Sequence, residues 1–572
     1  VQEQLNEQDT PTADPADRQA GQGKAEFSRL KRFMISLPIF IILLGILVIA
    51  STNTRIQVDN DPRGQIFGTL TSDTAVTFDT DDPLPQEGTY KVRESRYVMD
   101  AVQPSTGEVQ HINVLVREPV GAGTGLPGMV FMHGAGYGTC DNSFGDVAAS
   151  MSSAGFVTAV LDKPVWSTTD LTRDYPGSAA IYDQVIDHIR SMEQVDATKV
   201  GVYATSESTW ITPFLLETDH DVAFQVLLSP MVFNPRHALA YLAGQNFALA
   251  GANEGYQAIV RRALSLDLDM FGLHNVDIRT RVPVAYSIPT YVAYGSKDVM
   301  TAQVQGFKEI LALAHEAGNW NVTLRSYPVA NHVLRLGDEA EAGTPFADDY
   351  VRDTLAWAVG TSRGLTQTSE PLAGTPLYQS IAVPLDLHAR PALTIYGTIV
   401  IVLLVVTLLV ALVIAIIALV RHVRYRIMHQ GHALGFQYRF GRSLMMLSVI
   451  TLACLALFLG GLGEVVMAVV YLAWGSAPPE DAGMMYWSWP VIQVVCVFVV
   501  WEWARVFTGM IEVASMRGLL GWPLKRDAIR AIVSGKEPVV ASTRLGRVLF
   551  WSTTVAMLLV LLSFSFWGLF LF

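Results

Sequence analysis

Apolar residues dominate from Phe33 to Ala50, about 18 positions, just enough for a helix to cross a bilayer. Four further apolar runs lie near 393–420, 443–473, 488–511 and 548–570. Between the first run and these four the pattern changes character. Tyr90–Met99 and Ile112–Val116 carry the alternating, β-branched content of strands. Gly128–Met132, Phe156–Asp162, Val226–Ser229 and Thr290–Gly295 are short, largely apolar runs that read as buried strands, Val322–Tyr327 reads as a further strand, and a helical period crosses Ala179–Met192. Strands alternating with helical segments predict an α/β fold with a mostly parallel, doubly wound sheet. An insertion over about 231–288 is helical and apolar in pattern, as in His237–Ala243. Residues 1–32 are polar without apolar period and read as a disordered tail.

Composition changes this picture in one direction. The 572 residues are 51% hydrophobic and only 16% charged, the balance of a membrane protein with a large polar part. A net charge of −12 speaks against a nucleic-acid partner. Of three cysteines, Cys454 and Cys496 fall in apolar runs, so Cys140 alone in the polar part has no disulfide partner there and reads as a small packed residue.

Charge also orients the spans. Lys24, Arg29, Lys31 and Arg32 precede the first, which reads as an uncleaved signal anchor over 33–50. The linker Arg421–Arg442 and a later one from Arg517 to Arg547 are basic, whereas Trp474–Pro490 holds Glu480 and Asp481 and no basic residue. The positive-inside rule then puts the N-terminus in the cytoplasm, 51–392 outside, and a four-span domain over 393–572. The setting expected is the plasma membrane of a bacterium. Glu464, Glu502 and Arg505 fall within apolar runs; Glu464 looks deepest, and Glu502 and Arg505, three apart, are placed to pair. Such groups read as bundle glue, with an ion pathway as the alternative.

Chemistry concentrates at Lys199–Trp210. A short apolar strand runs into a tight turn at Ser206, with small Ala204 and Ser208 two residues to either side, and then into a helix. That is the steric pattern of a nucleophile elbow, in which a strained turn exposes the serine hydroxyl. Glycine is usual where Ala204 and Ser208 stand, and Ser208-Thr209 replaces the Gly-Gly usual after the elbow, which should crowd the helix against the strand; Ser208 is the alternative nucleophile. Pro213 is tolerable only where its missing N–H falls in the first helical turn.

Tyr182-Asp183, Val195-Asp196 and Lys199-Val-Gly-Val lead to Ser206; His133-Gly134 precedes them, and Gly295-Ser-Lys-Asp298 and Asn331-His332 follow. Together they resemble the α/β-hydrolase superfamily, particularly its dienelactone-hydrolase and prolyl-oligopeptidase-like branches. The resemblance covers roughly 85–360 and none of the spans. It implies a chain order of nucleophile, acid and histidine, hence Ser206, Asp298 and His332, with the helical insertion over 231–288 as a cap over the site. It also implies backbone N–H donors at Ala135 and Glu207 for a developing oxyanion, with neither cofactor nor metal.

The expectation is therefore a membrane-anchored extracytoplasmic serine hydrolase, an esterase or acyltransferase. Its substrates would be lipids or acylated components of the cell envelope, and the four-span domain is a possible site for a membrane-protein partner. The alternatives are a serine peptidase and a non-catalytic hydrolase-fold scaffold of a membrane complex.

Overall fold

The computed structural model describes residues 26–57, 66–104, 106–169, 173–267, 278–281, 284–337, 343–428, 434–437, 439–473, 477–516, 530 and 539–571. The expected disordered tail lies almost wholly outside them, as does much of the basic linker 517–547. The chain divides into two compact units. One comprises Val1–Arg55, Ile395–Gly460 and Ser488–Phe572; the other comprises Ile56–Thr394 and Gly461–Trp487.

The second unit is built on a nine-stranded sheet. Its strands are β1 (Lys91–Val102), β2 (Val109–Val120), β3 (Leu126–Met132), β4 (Val157–Leu161) and β5 (Val195–Thr205), followed by β6 (Gln225–Leu228), β7 (Thr290–Gly295), β8 (Val322–Tyr327) and β9 (Leu372–Gly374). The spatial order is β9-β8-β7-β6-β5-β3-β4-β2-β1. β1 pairs antiparallel with β2, and β2 antiparallel with β4; every other neighbour is parallel.

Burial explains the pattern read in the sequence. β4, β6, β7 and β8 are buried at every position; the first three therefore read as largely apolar runs rather than alternating ones, whereas β8 also buries Thr323, Arg325 and Ser326. The edge strand β1 is half solvated and alternates. Two apolar clusters cover the two faces. One holds Val130, Val202, Val292 and Leu324 with helix Tyr175–Arg190; the other holds Phe131, Tyr203, Tyr291 and Trp357.

Helix Tyr175–Arg190 shows how a flanking element is specified. Asp174 caps it by accepting from the Gly177 N–H at 2.8 Å, with Pro176 in the first turn. Its buried face carries Tyr182, Val185, Ile186 and Ile189. Each such side chain contributes about 1.5–3 kcal/mol by burial, so a charge at Ile186 would detach the helix from the sheet. In the 231–288 insertion, helices Pro235–Leu249 and Glu254–Leu264 are described. The first buries Ala238 and Tyr241 in the cluster that contains Val292 and Tyr294. Residues 268–277 lie outside the described set.

Among the described residues, five helices are long and apolar enough to cross a membrane: Arg29–Asn53, Pro391–Ile427, Phe440–Leu472, Met484–Met516 and Arg544–Trp567. Several outrun the apolar runs that announced them, because backbone hydrogen bonding continues through polar residues such as Arg421 and Arg424. Within the unit that contains the first and last of them, Ser36 meets Thr508 at 2.8 Å, and Ser51 donates to the Ser565 carbonyl at 2.8 Å. Glu512, 1% exposed, accepts from Arg32 Nε and from the Phe27 N–H, at 2.8 and 2.7 Å. Glu502 and Arg505 pair at 2.6 Å, whereas Glu464 is exposed. The carboxylate most buried in protein among those described in these helices is thus Glu512.

Candidate active site

β5 ends at Thr205, and the chain turns at Ser206 into a short 3-10 helix, Ser206–Trp210. Ser206 has φ +52°, a left-handed conformation that costs a non-glycine residue about 1–3 kcal/mol. The turn lifts its side chain off the sheet edge. Oγ lies 2.8 Å from His332 Nε2, and His332 Nδ1 lies 3.1 Å from Asp298 Oδ1.

The three residues come from the loops after β5, β7 and β8, far apart in sequence. Gly295, the last residue of β7, lets two of those loops meet. A Cβ there would lie 2.3 Å from the Asn331 carbonyl oxygen and 2.4 Å from that of Ala330. Only a hydrogen fits, so the loop carrying Asp298 passes directly beside the loop carrying His332.

Each side chain is held from behind. Asp298 accepts from the Met300 N–H at 2.8 Å and from the Thr301 hydroxyl. Burial pushes its carboxyl up, but the facing His332 ring and these donors outweigh it and hold the pKa below the usual carboxylate range. It is therefore an anion beside the ring. Ser229, itself at φ +45°, donates to the His332 carbonyl at 2.7 Å. Neither Thr301 nor Ser229 was singled out from sequence; a hydroxyl three residues after the acid is too common to signal anything alone.

Ser208 answers the question raised by the missing glycine. It is fully buried, accepts from the Thr205 N–H at 2.8 Å and donates toward the Met132 carbonyl at 2.9 Å. Its hydroxyl thus bridges strand and turn instead of crowding them, its partners being backbone groups of Met132 and Thr205. Pro213 falls in the first turn of helix Thr212–Thr218, as its chemistry requires. Thr209 fills the other usual glycine position, donating to the Ser206 carbonyl at 2.6 Å and accepting from the Met231 N–H at 2.8 Å.

On the other side of Ser206 lies the loop after β3. The His133 N–H donates to the Tyr182 hydroxyl at 3.0 Å, and ring Nε2 lies 2.6 Å from the Leu161 carbonyl, which fixes that nitrogen as a donor. Burial drives the His133 pKa down to about 4, so the ring is neutral at physiological pH. Gly138 packs against it; a Cβ there would lie 2.4 Å from Nδ1. Ala135 follows Gly134 at the cavity wall, and its N–H makes no hydrogen bond among the described residues. Cys140 is buried, and burial with Asp162 beside it pushes its thiol up to about 12, which suits packing and not nucleophilic attack.

The cavity over Ser206 has a volume of about 600 Å³. Tyr137, Phe144, Met300, Val333 and Phe346 give it apolar walls, and Arg335, paired with Asp146, stands at its side. No described residue of the 231–288 insertion lines it. No group of three or more metal-ligating side chains occurs among the described residues.

Neither a family model nor a curated protein sequence matches the chain. Among solved structures, it is similar to a protein assigned as a dipeptidyl aminopeptidase IV from Bacteroides ovatus, with 13% identity over 48% of this chain and 36% of that one, at a TM-score of 0.33. The chain thus spans only about a third of that protein's length. It is also similar to a protein assigned as a dienelactone hydrolase from Klebsiella pneumoniae (14% identity, 46% of this chain and 98% of that one, TM-score 0.31) and to a bacterial heroin esterase (17%, 48% and 84%, 0.32).

Strand order carries the assignment independently of these likenesses. A sheet that begins with two antiparallel strands, crosses over at β3 and β4, and then runs parallel from β5 to β8 with a strained serine turn after β5 is the α/β-hydrolase fold. Among the described residues, that fold is accompanied by five helices long and apolar enough to span a membrane.

Proposed function

We propose that this chain is a serine hydrolase, anchored in the membrane, with the hydrolase domain (51–392) on the extracytoplasmic side and a four-span domain (393–572) after it. Ser206, His332 and Asp298 form its catalytic triad. One observation carries the reading: a strained serine hydroxyl lies 2.8 Å from an imidazole whose other nitrogen faces a buried carboxylate at 3.1 Å.

The chemistry follows from those contacts. Ser206 Oγ attacks the acyl carbon of an ester while its proton passes to His332 Nε2. Asp298 keeps the other ring proton on Nδ1 and stabilises the imidazolium. The Ala135 and Glu207 N–H groups receive the developing oxyanion. Collapse breaks the bond to the alcohol oxygen, which takes the proton from His332. Water or a second alcohol, deprotonated by His332, then attacks acyl-Ser206; collapse releases the acyl product and returns the proton to Ser206.

Location supports the substrate class. A hydrolase domain flanked by membrane helices at both ends of its sequence meets substrates in or near the bilayer, and apolar walls suit an acyl chain. Basic residues before the first helix and in the later linkers support the orientation. Envelope lipids and acylated envelope components are therefore the favoured substrates.

The purified full chain, offered p-nitrophenyl esters of increasing acyl length and the matching anilides, should cleave esters preferentially, and longer acyl chains better than acetate. Preferential anilide cleavage would make it a peptidase. No turnover of either by folded protein would favour the scaffold reading.

A further inference from the structure

Beside the triad lies a buried ion cluster that the reaction scheme does not use. Lys163 follows β4, and its side chain is only 2% exposed. Its Nζ donates to the Gly134 carbonyl at 2.8 Å and to Glu207 Oε2 at 3.0 Å. Arg173 Nε approaches the other oxygen of Glu207 at 3.3 Å. A buried ammonium needs close partners, since leaving it unpaired costs several kcal/mol or more. Here both partners belong to the peptides that flank the reaction centre.

The Gly134 carbonyl and the Ala135 N–H are two ends of one planar trans amide, so they point in opposite directions. Gripping the oxygen from one side aims the N–H to the other. Glu207 supplies the second N–H from its own backbone, and the same ammonium holds its carboxylate. One charge thus ties two chain segments that are 73 residues apart. The surrounding loop is fastened in the same way: the Lys163 N–H donates to the Gly138 carbonyl at 2.9 Å, and Thr168 Oγ1 donates to that of Gly136 at 2.8 Å.

We propose that Lys163 is a positioning residue for the oxyanion site, fixing the Ala135 and Glu207 N–H groups in one frame through its contacts with the Gly134 carbonyl and the Glu207 carboxylate. The inference rests on the serine-hydrolase reading. Lys163 touches neither Ser206 nor the acyl group in this scheme; it acts through the two peptides.

Only the transition state places full negative charge between those N–H groups, so loosening them lowers kcat and leaves substrate affinity alone. Full-length Lys163→Met, assayed on a p-nitrophenyl ester, should lose about 10- to 100-fold in kcat with KM within about threefold, part of the cost of deleting an oxyanion donor outright. Arg173 still pairs Glu207 in that variant, which favours folding; its melting temperature checks this. Lys163→Gln, which keeps a donor without the charge, carries the test if the Met variant does not fold, with a smaller loss confined to kcat.

A second readout separates positioning from general damage. Sulfur is a poor hydrogen-bond acceptor, so the ratio of ester to thionoester turnover reports the donors. That ratio should fall at least about threefold in the variant. Unchanged kcat in a folded variant, a loss confined to KM, or an unchanged ratio would each overturn the role of Lys163 while the hydrolase reading stands. An inactive wild type would remove both.

Discussion

Polar side chains are buried in both units, and they are used differently. In the helical unit, Ser36 meets Thr508, Ser51 meets Ser565, and Arg32 meets Glu512, each joining one helix to another. None of these residues has positive φ. At the edge of the sheet, Ser206 is strained, His332 is braced by Ser229, and Asp298 is held charged by its neighbours. Ser206 and His332 line a cavity of about 600 Å³, and Asp298 stands behind the His332 ring. Burial and pairing alone describe glue. Strain, an opening onto a cavity and groups suited to complementary proton roles mark a candidate reaction centre.

Substitutions sharpen this contrast, beginning with the largest effect. Ser206→Ala should lower ester turnover by about 10⁴-fold or more, His332→Ala comparably, and the double variant no further than either alone, because the residues act as one unit. Additive losses would break the triad reading.

His133 gives a pH signature at the same sheet edge. Its folded pKa of about 4 lies below the unfolded value of about 6.5, so the unfolded chain takes up a proton first as pH falls. Its contribution is full above pH ~6.5 and is lost on the way to pH ~4. The stability advantage of wild type over His133→Gln should therefore shrink by about 3 kcal/mol from pH 7 to pH 4. An advantage that grew on acidification would mean that the ring is charged in the fold.

Ser208→Ala should cost about 1–3 kcal/mol, since the Thr205 N–H loses a buried partner, while covalent labelling stays at Ser206. The smallest effect belongs to the helices. Glu512→Gln keeps a hydrogen bond to Arg32 and should cost about 1 kcal/mol, with ester kcat within about twofold of wild type. A collapse of turnover there would mean that the helical unit does more than anchor.

The sheet was legible because its central strands are short, apolar and separated by helical periods; Thr290–Gly295 and Val322–Tyr327 were read to the residue. β9 was not, because Leu372–Gly374 is too short to carry a pattern. Ser206, Asp298 and His332 stood out by type, order and position after strands. What supports them was hidden. Lys163, Glu207 and Gly134 meet only once β3, β4 and β5 lie side by side, and no spacing along the chain announces a contact to a backbone carbonyl. Glu512 was overlooked for a related reason, since its partner Arg32 stands 480 residues away.

The most direct test of the account is covalent labelling of the folded full-length protein with a fluorophosphonate, followed by mass analysis of the modified peptide. One adduct is expected, on Ser206, formed in wild type and lost in both Ser206→Ala and His332→Ala. An adduct on Ser208, or labelling that survives His332→Ala undiminished, would contradict it.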